Sequence, residues 1–231
     1  MRSLVHAFSL SLFLFSCARQ PTLTAEMAPT SLNAVNLEET LSQRDELMMA
    51  YSLTSYDAQN KAVAVVNGGW GVQVVRTGQQ FDLQSNGPAF AKPIGLPIPR
   101  NGRVVASLIL VEVDDYERAN QLLDQVRRIH NVVAIPAGLL LTAVEVLTPL
   151  KYVSAGLIAS GIGLKLVDRF DTDDLLGQSS VDLREADLRA RKQPLVRVPV
   201  VFTGQHLRDT YRYELRYDIR LKTAQIQPID K

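Results

Sequence analysis

Tyr211-Arg212-Tyr213-Glu214-Leu215-Arg216-Tyr217-Asp218-Ile219-Arg220-Leu221-Lys222 alternates without a break between large apolar or aromatic side chains and charged ones. Successive side chains of a strand point to opposite faces, so this period of two reads as a strand with one face buried and a ladder of mixed charge in water. Val196, Val198, Val200 and Phe202 repeat the alternation just upstream, and Gly204 and His206 sit in the connection. Working backwards, Val181 to Leu183 reads as a short strand, and Arg184 to Lys192 as a charged helix or loop. Arg103 to Val113 (RVVASLILVEV) is apolar enough for a central strand. Ala62 to Val66 and Trp70 to Arg76 flank Asn67-Gly68-Gly69, a hairpin signal, because glycine supplies a positive φ without steric cost. Asp45 to Tyr56 is compatible with helix or strand; Leu47 to Ser55 is read as a strand because Tyr, Thr and Ser accumulate there. The proline- and glycine-rich stretch from Gly87 to Gly102 reads as a loop whose apolar residues pack over a sheet edge.

Between the middle and last strands the character changes. Asp114 or Asp115 can cap a helix, and Leu122, Leu123, Val126 and Ile129 recur at helical spacing up to His130. From Val132 to Val167 the only charges are Glu145, Lys151 and Lys165, and Pro136 and Pro149 divide the stretch into two helical segments. Each is short for a membrane span and reads as part of a buried pair covering the sheet, with a membrane-entering hairpin as the other reading. The fold expected is mainly β (α+β): one antiparallel β-sandwich domain over 31–231, with a helical insertion around 115–167.

The N-terminus carries a different message. Arg2 precedes a short apolar run from Leu4 to Phe15, which ends in Leu14-Phe15-Ser16-Cys17, the site of the only cysteine. This is the layout of a secretory leader, and it resembles a bacterial lipoprotein signal with its lipobox. The resemblance implies that residues 1–16 are removed and that Cys17 is acylated. Residues 17–30, polar with Pro21, Pro29 and several Thr, read as a tether, with a first strand along the domain as the other reading. Phe15 is bulkier than such signals favour. Ala18 is not the aspartate associated with inner-membrane retention, so the expected address is the outer membrane facing the periplasm. Each buried methylene of an acyl chain contributes roughly 0.8 kcal/mol, so two or more chains anchor a protein stably. With its cysteine used, the chain has no disulfide, and a mature length of about 215 residues must supply its own core.

Charge is balanced, 25 Lys and Arg against 24 Asp and Glu, which points away from a nucleic-acid partner. G-x-S-x-G, H-E-x-x-H and G-x-x-x-x-G-K are all absent. Beyond the leader only His130 and His206 remain, read respectively as a helix-end cation and a solvated turn residue. No catalytic residue is assigned, and a non-enzymatic role is expected.

One constellation has some specificity. Asp168, Asp171, Asp173 and Asp174 precede Leu175-Leu176-Gly177. Clustered carboxylates repel unless a cation offsets them, and Ca²⁺ takes several such oxygens at once. The run Asp173-Asp174-Leu175-Leu176-Gly177 resembles the aspartate-rich loop of C2 domains, which implies a calcium site at these four aspartates. The long apolar insert is foreign to that family, and the first calcium loop has no clear counterpart. A solvated turn bonded to loop amides is the other reading. The function expected is a membrane-anchored, non-enzymatic binding or assembly module with an envelope protein partner. An immunity-type lipoprotein that sequesters a toxin, and a calcium-dependent C2-like binder of membrane or protein, are the alternatives.

Overall fold

The computed structural model describes residues 21–38, 43–87, 89–113, 116–128, 133–134, 149, 153–154, 175–191, 193–206 and 209–223. The chain runs through β1 (Leu23–Asn36), β2 (Asp45–Tyr56), β3 (Ala62–Val75), β4 (Gln80–Asp82), β5 (Ile94–Ile98), β6 (Arg103–Glu112), α1 (Tyr116–Arg128), β7 (Val133–Ala134), β8 (Leu175–Arg184), α2 (Glu185–Ala190), β9 (Leu195–His206) and β10 (Asp209–Thr223). The strands form two five-stranded antiparallel sheets. In one, β9, β10 and β1 lie side by side, and β1 pairs on its far edge with β5 near its start and β4 further along. In the other the order is β7, β3, β2, β6, β8. The molecule is therefore a mainly β sandwich, as the alternation demands.

The inner faces interdigitate as that period prescribes. Tyr213, Leu215, Tyr217 and Ile219 of β10 meet Leu47, Met49, Tyr51 and Leu53 of β2 in one buried cluster. Trp70 is fully buried there, its ring edge-on to Phe81 at 5.6 Å between centroids, and its indole N–H donates to the Ala89 carbonyl at 2.9 Å. Burying side chains of this size contributes roughly 1.5–3 kcal/mol each. The β2 sheet is covered on its other face as well. Met48, Ala50, Ile109 and Val111 pack with Ala119 and Leu123 of α1 and with Val153, so β2 and β6 are buried almost throughout. Three layers result: the β10 sheet, the β2 sheet and a helical cover.

Four expectations need correction. The tether read over 17–30 gives way at Leu23. From there β1 pairs with β10 and β5, and Ala25, Met27 and Ala28 are buried. Asn67-Gly68-Gly69 is no turn: β3 runs straight through it, opposite Gly69↔Ala50, Gly68↔Tyr51 and Asn67↔Ser52. The chain reverses instead at Asp57–Lys61, where Asp57 Oδ1 accepts the backbone N–H groups of Gln59 and Lys61, both at 2.9 Å. Part of the 87–102 stretch is a strand, β5, whose Ile94, Leu96 and Ile98 point into the core. The short strand at Val181 to Leu183 belongs to a longer one that begins at Leu175. In the insertion, α1 is helical as expected and Val133–Ala134 is a strand. Most of 135–167 lies outside the described residues. Among the described residues no helix is long and apolar enough to cross a membrane.

Candidate functional site

At the end of the sandwich where β1 begins, both sheets and α2 meet around a groove of about 410 Å³. Its apolar lining comes from Val63 and Ala64 of β3 and from Pro97 and Ile98 of β5. Arg100, Glu185 and Arg189 add the charge. The β5–β6 turn is shaped for this meeting. A Cβ on Gly102 would lie 2.1 Å from the Tyr56 carbonyl oxygen, so only glycine lets the turn close against β2. The Gly102 carbonyl in turn accepts the Glu185 N–H at 2.9 Å, which ties the first residue of α2 to the turn.

Glu185 is the hub. Only 4% of it is exposed, and both carboxylate oxygens are used. Oε2 accepts the Asn101 N–H at 2.8 Å, and Oε1 accepts from Arg189 Nε at 2.6 Å, one helical turn on. Burial pushes this carboxyl up. The Asn101 N–H, Arg189 and the nearby Arg100 together outweigh burial and hold it below its ordinary 4.5. Arg189 is equally committed, since its Nη2 donates to the Pro21 carbonyl at 2.9 Å and pins the start of the described chain to the groove. Arg100 is different: it is exposed and makes no hydrogen bond among the described residues. Exposed Lys61 in the β2–β3 turn, Arg184 at the end of β8 and Arg191 after α2 lie toward the same end, as do Asp57, Asp182 and Asp187. Arg103 is spent on Asp182 at 2.5 Å and on the Tyr56 ring, 4.2 Å from its centroid.

The opposite end has a second polar centre. Asp45 is fully buried at the start of β2; its Oδ2 accepts the Glu38 N–H at 2.8 Å and the Tyr213 hydroxyl. Tyr211 donates to the Leu176 carbonyl at 3.1 Å nearby. Both carboxylate hubs thus hold the fold together through backbone and side-chain donors. On the helix-covered face of the β2 sheet, Asn67, Ser52 and Ser107 form one buried row across three strands.

Asp168, Asp171, Asp173 and Asp174 lie outside the described residues, as do Cys17 and His130. Among the described residues no three His, Cys, Asp or Glu side chains are grouped to hold a metal ion. The cationic residues Arg212, Arg216 and Arg220 are exposed on the outer face of the β10 sheet, as the alternation requires, with Arg212 paired to Glu214 at 2.7 Å. Sequence reading missed the groove. Its one local trace is the Glu185/Arg189 pair at i, i+4 in a segment read only as charged helix or loop. Comparison of the chain with protein-family models, curated proteins and solved structures found no match.

Proposed function

We propose that the protein is a lipid-anchored, non-enzymatic binding module of the cell envelope, held at the outer membrane through acylated Cys17 and facing the periplasm. The observation that carries this reading is the leader that ends in Leu14-Phe15-Ser16-Cys17, and the Pro21 carbonyl held by Arg189 beside the groove fixes where the tether leaves the fold. Cys17 stands four residues before Pro21, so a fully extended connection spans at most about 14 Å. An acylated Cys17 therefore turns the groove end of the sandwich toward the bilayer and presents the far end and the outer sheet face to an envelope partner. The commitment of Glu185 and Asp45 to structural hydrogen bonds favours binding over acid–base chemistry.

The test is metabolic labelling with an alkyne palmitate analogue in a two-membrane bacterium that expresses the full chain. Label and outer-membrane fractionation are expected for the native sequence, and both should be lost in Cys17→Ser. A Cys17→Ser protein that stays in the membrane fraction would sink the reading and shift attention to the apolar stretch from Val132 to Val167.

A further inference from the structure

We infer that the groove seats the headgroup of an anionic phospholipid from the membrane to which the chain is tethered. This rests on the anchoring proposed above, which sets the distance, but the chemistry of the groove is its own argument. Of its three charged residues, Glu185 and Arg189 neutralise each other and are fixed by Asn101 and Pro21, so the groove carries the net charge of Arg100. That guanidinium is exposed and makes no hydrogen bond among the described residues, leaving its planar donor fork free for phosphate oxygens. Exposed Lys61, Arg184 and Arg191 lie toward the same end, outside the lining, with Asp57, Asp187 and the Arg103-paired Asp182 as the carboxylates among them.

The rest of the lining is wrong for a free inorganic anion. Val63, Ala64, Pro97 and Ile98 give the same groove an apolar lining. A phosphodiester that continues into a glycerol ester and its first methylenes matches both parts. A volume of about 410 Å³ lies within the range of small-molecule pockets and suits one headgroup. Position supplies the remaining argument: Pro21 marks the groove end, and Cys17 is no further than about 14 Å of extended chain away.

The test uses the full chain, expressed in a two-membrane bacterium and purified in an uncharged detergent. Calorimetric titration compares monomeric dihexanoyl phosphatidylglycerol with dihexanoyl phosphatidylcholine and inorganic phosphate. Saturable binding of the phosphatidylglycerol is expected, roughly tenfold weaker in Arg100→Gln and only partly restored in Arg100→Lys, which keeps the charge but not the fork. Arg100 is exposed, so both variants are expected to unfold at the native temperature. Equal binding of the choline lipid, equal binding of phosphate alone, no heat at all, or indifference to Arg100→Gln would each overturn the inference. Intact mass on the same preparation reports acylation of Cys17 separately. An acylated protein that ignores the lipid defeats the groove alone. An unacylated one defeats the anchoring, whatever the titration gives.

Discussion

Tyr213 and Tyr217 turn the buried face of one strand into a source of pH-dependent stability. Both are fully buried. Burial pushes the Tyr213 hydroxyl far above its ordinary 10.0, and its hydrogen bond to Asp45 and the charge of that carboxylate push it further. Burial raises Tyr217 too, offset in part by the Ser179 hydroxyl at 3.1 Å. A raised acid keeps its proton in the folded chain after the unfolded chain has lost it. The contribution is therefore intact below about pH 10 and lost as pH rises above it. Each such phenol contributes a slope of about 1.4 kcal/mol per pH unit while only the unfolded chain is ionised. Tyr217→Phe is expected to remove one phenol's share of that slope, measured by urea unfolding at intervals between about pH 9 and 11. A slope unchanged by the substitution would mean that Tyr217 ionises freely in the folded protein.

At the scale of the element, β3 separates what local sequence conveys from what it hides. Asn67-Gly68-Gly69 has the composition of a turn, yet Gly68 is glycine because of a neighbour. A Cβ there would stand 2.3 Å from Cε2 of the Tyr51 ring on the adjacent strand, a ring fixed by its hydroxyl's 2.6 Å bond to the Lys92 carbonyl. Gly68→Ala is expected to destabilise by about 1–3 kcal/mol, the usual cost of overpacking. Gly87→Ala, with nothing within 4 Å of its Cβ, should stay within about 0.5 kcal/mol of native. Chemical denaturation of the pair decides it: a Gly68→Ala protein as stable as Gly87→Ala would mean that the Tyr51 ring yields freely. The same contrast explains which elements were legible. Strands β9 and β10 were readable because water on one side and core on the other impose strict alternation. Strand β2 was harder because α1 covers its second face, and two-sided burial erases the period that separates strand from helix. Strand β1 hid behind small residues, Ala25, Ala28 and Ala34, and behind Pro29. The groove was unreadable for another reason: it joins Pro21, Ala64, Arg100 and Glu185, which only the pairing of distant strands brings together.

For the whole molecule, the two sheets differ most in how far along the chain their partners lie. The β2–β3 hairpin closes over a few residues; the Ser55 hydroxyl and the Ala64 carbonyl that meet across it are 9 positions apart. The β1–β10 ladder joins opposite ends of the described chain, and Glu26 and Lys222, paired across it at 2.5 Å, are 196 positions apart. Long-range pairing incurs its loop-closure entropy before the contacts that compensate for it have formed, so such ladders form late and slowly. The β2 sheet can assemble first, with β6 and α1 following β3 in sequence and covering it. The groove joins Thr22, β3, β5 and α2, so it is complete only once the segment before β1 and α2 have both been brought to β3. Truncations matched in kind separate the two stages. Leu53→Ala in β2 and Ile219→Ala in β10 each remove a fully buried aliphatic side chain and should cost about 2–5 kcal/mol. Chevron analysis is expected to give a φ-value near 0.5–0.8 for Leu53→Ala, and about 0–0.3 for Ile219→Ala. The reverse order would mean that the ends of the chain meet before the hairpin forms. The β10 sheet would then template the β2 sheet, and the groove would be among the earliest parts of the protein to form.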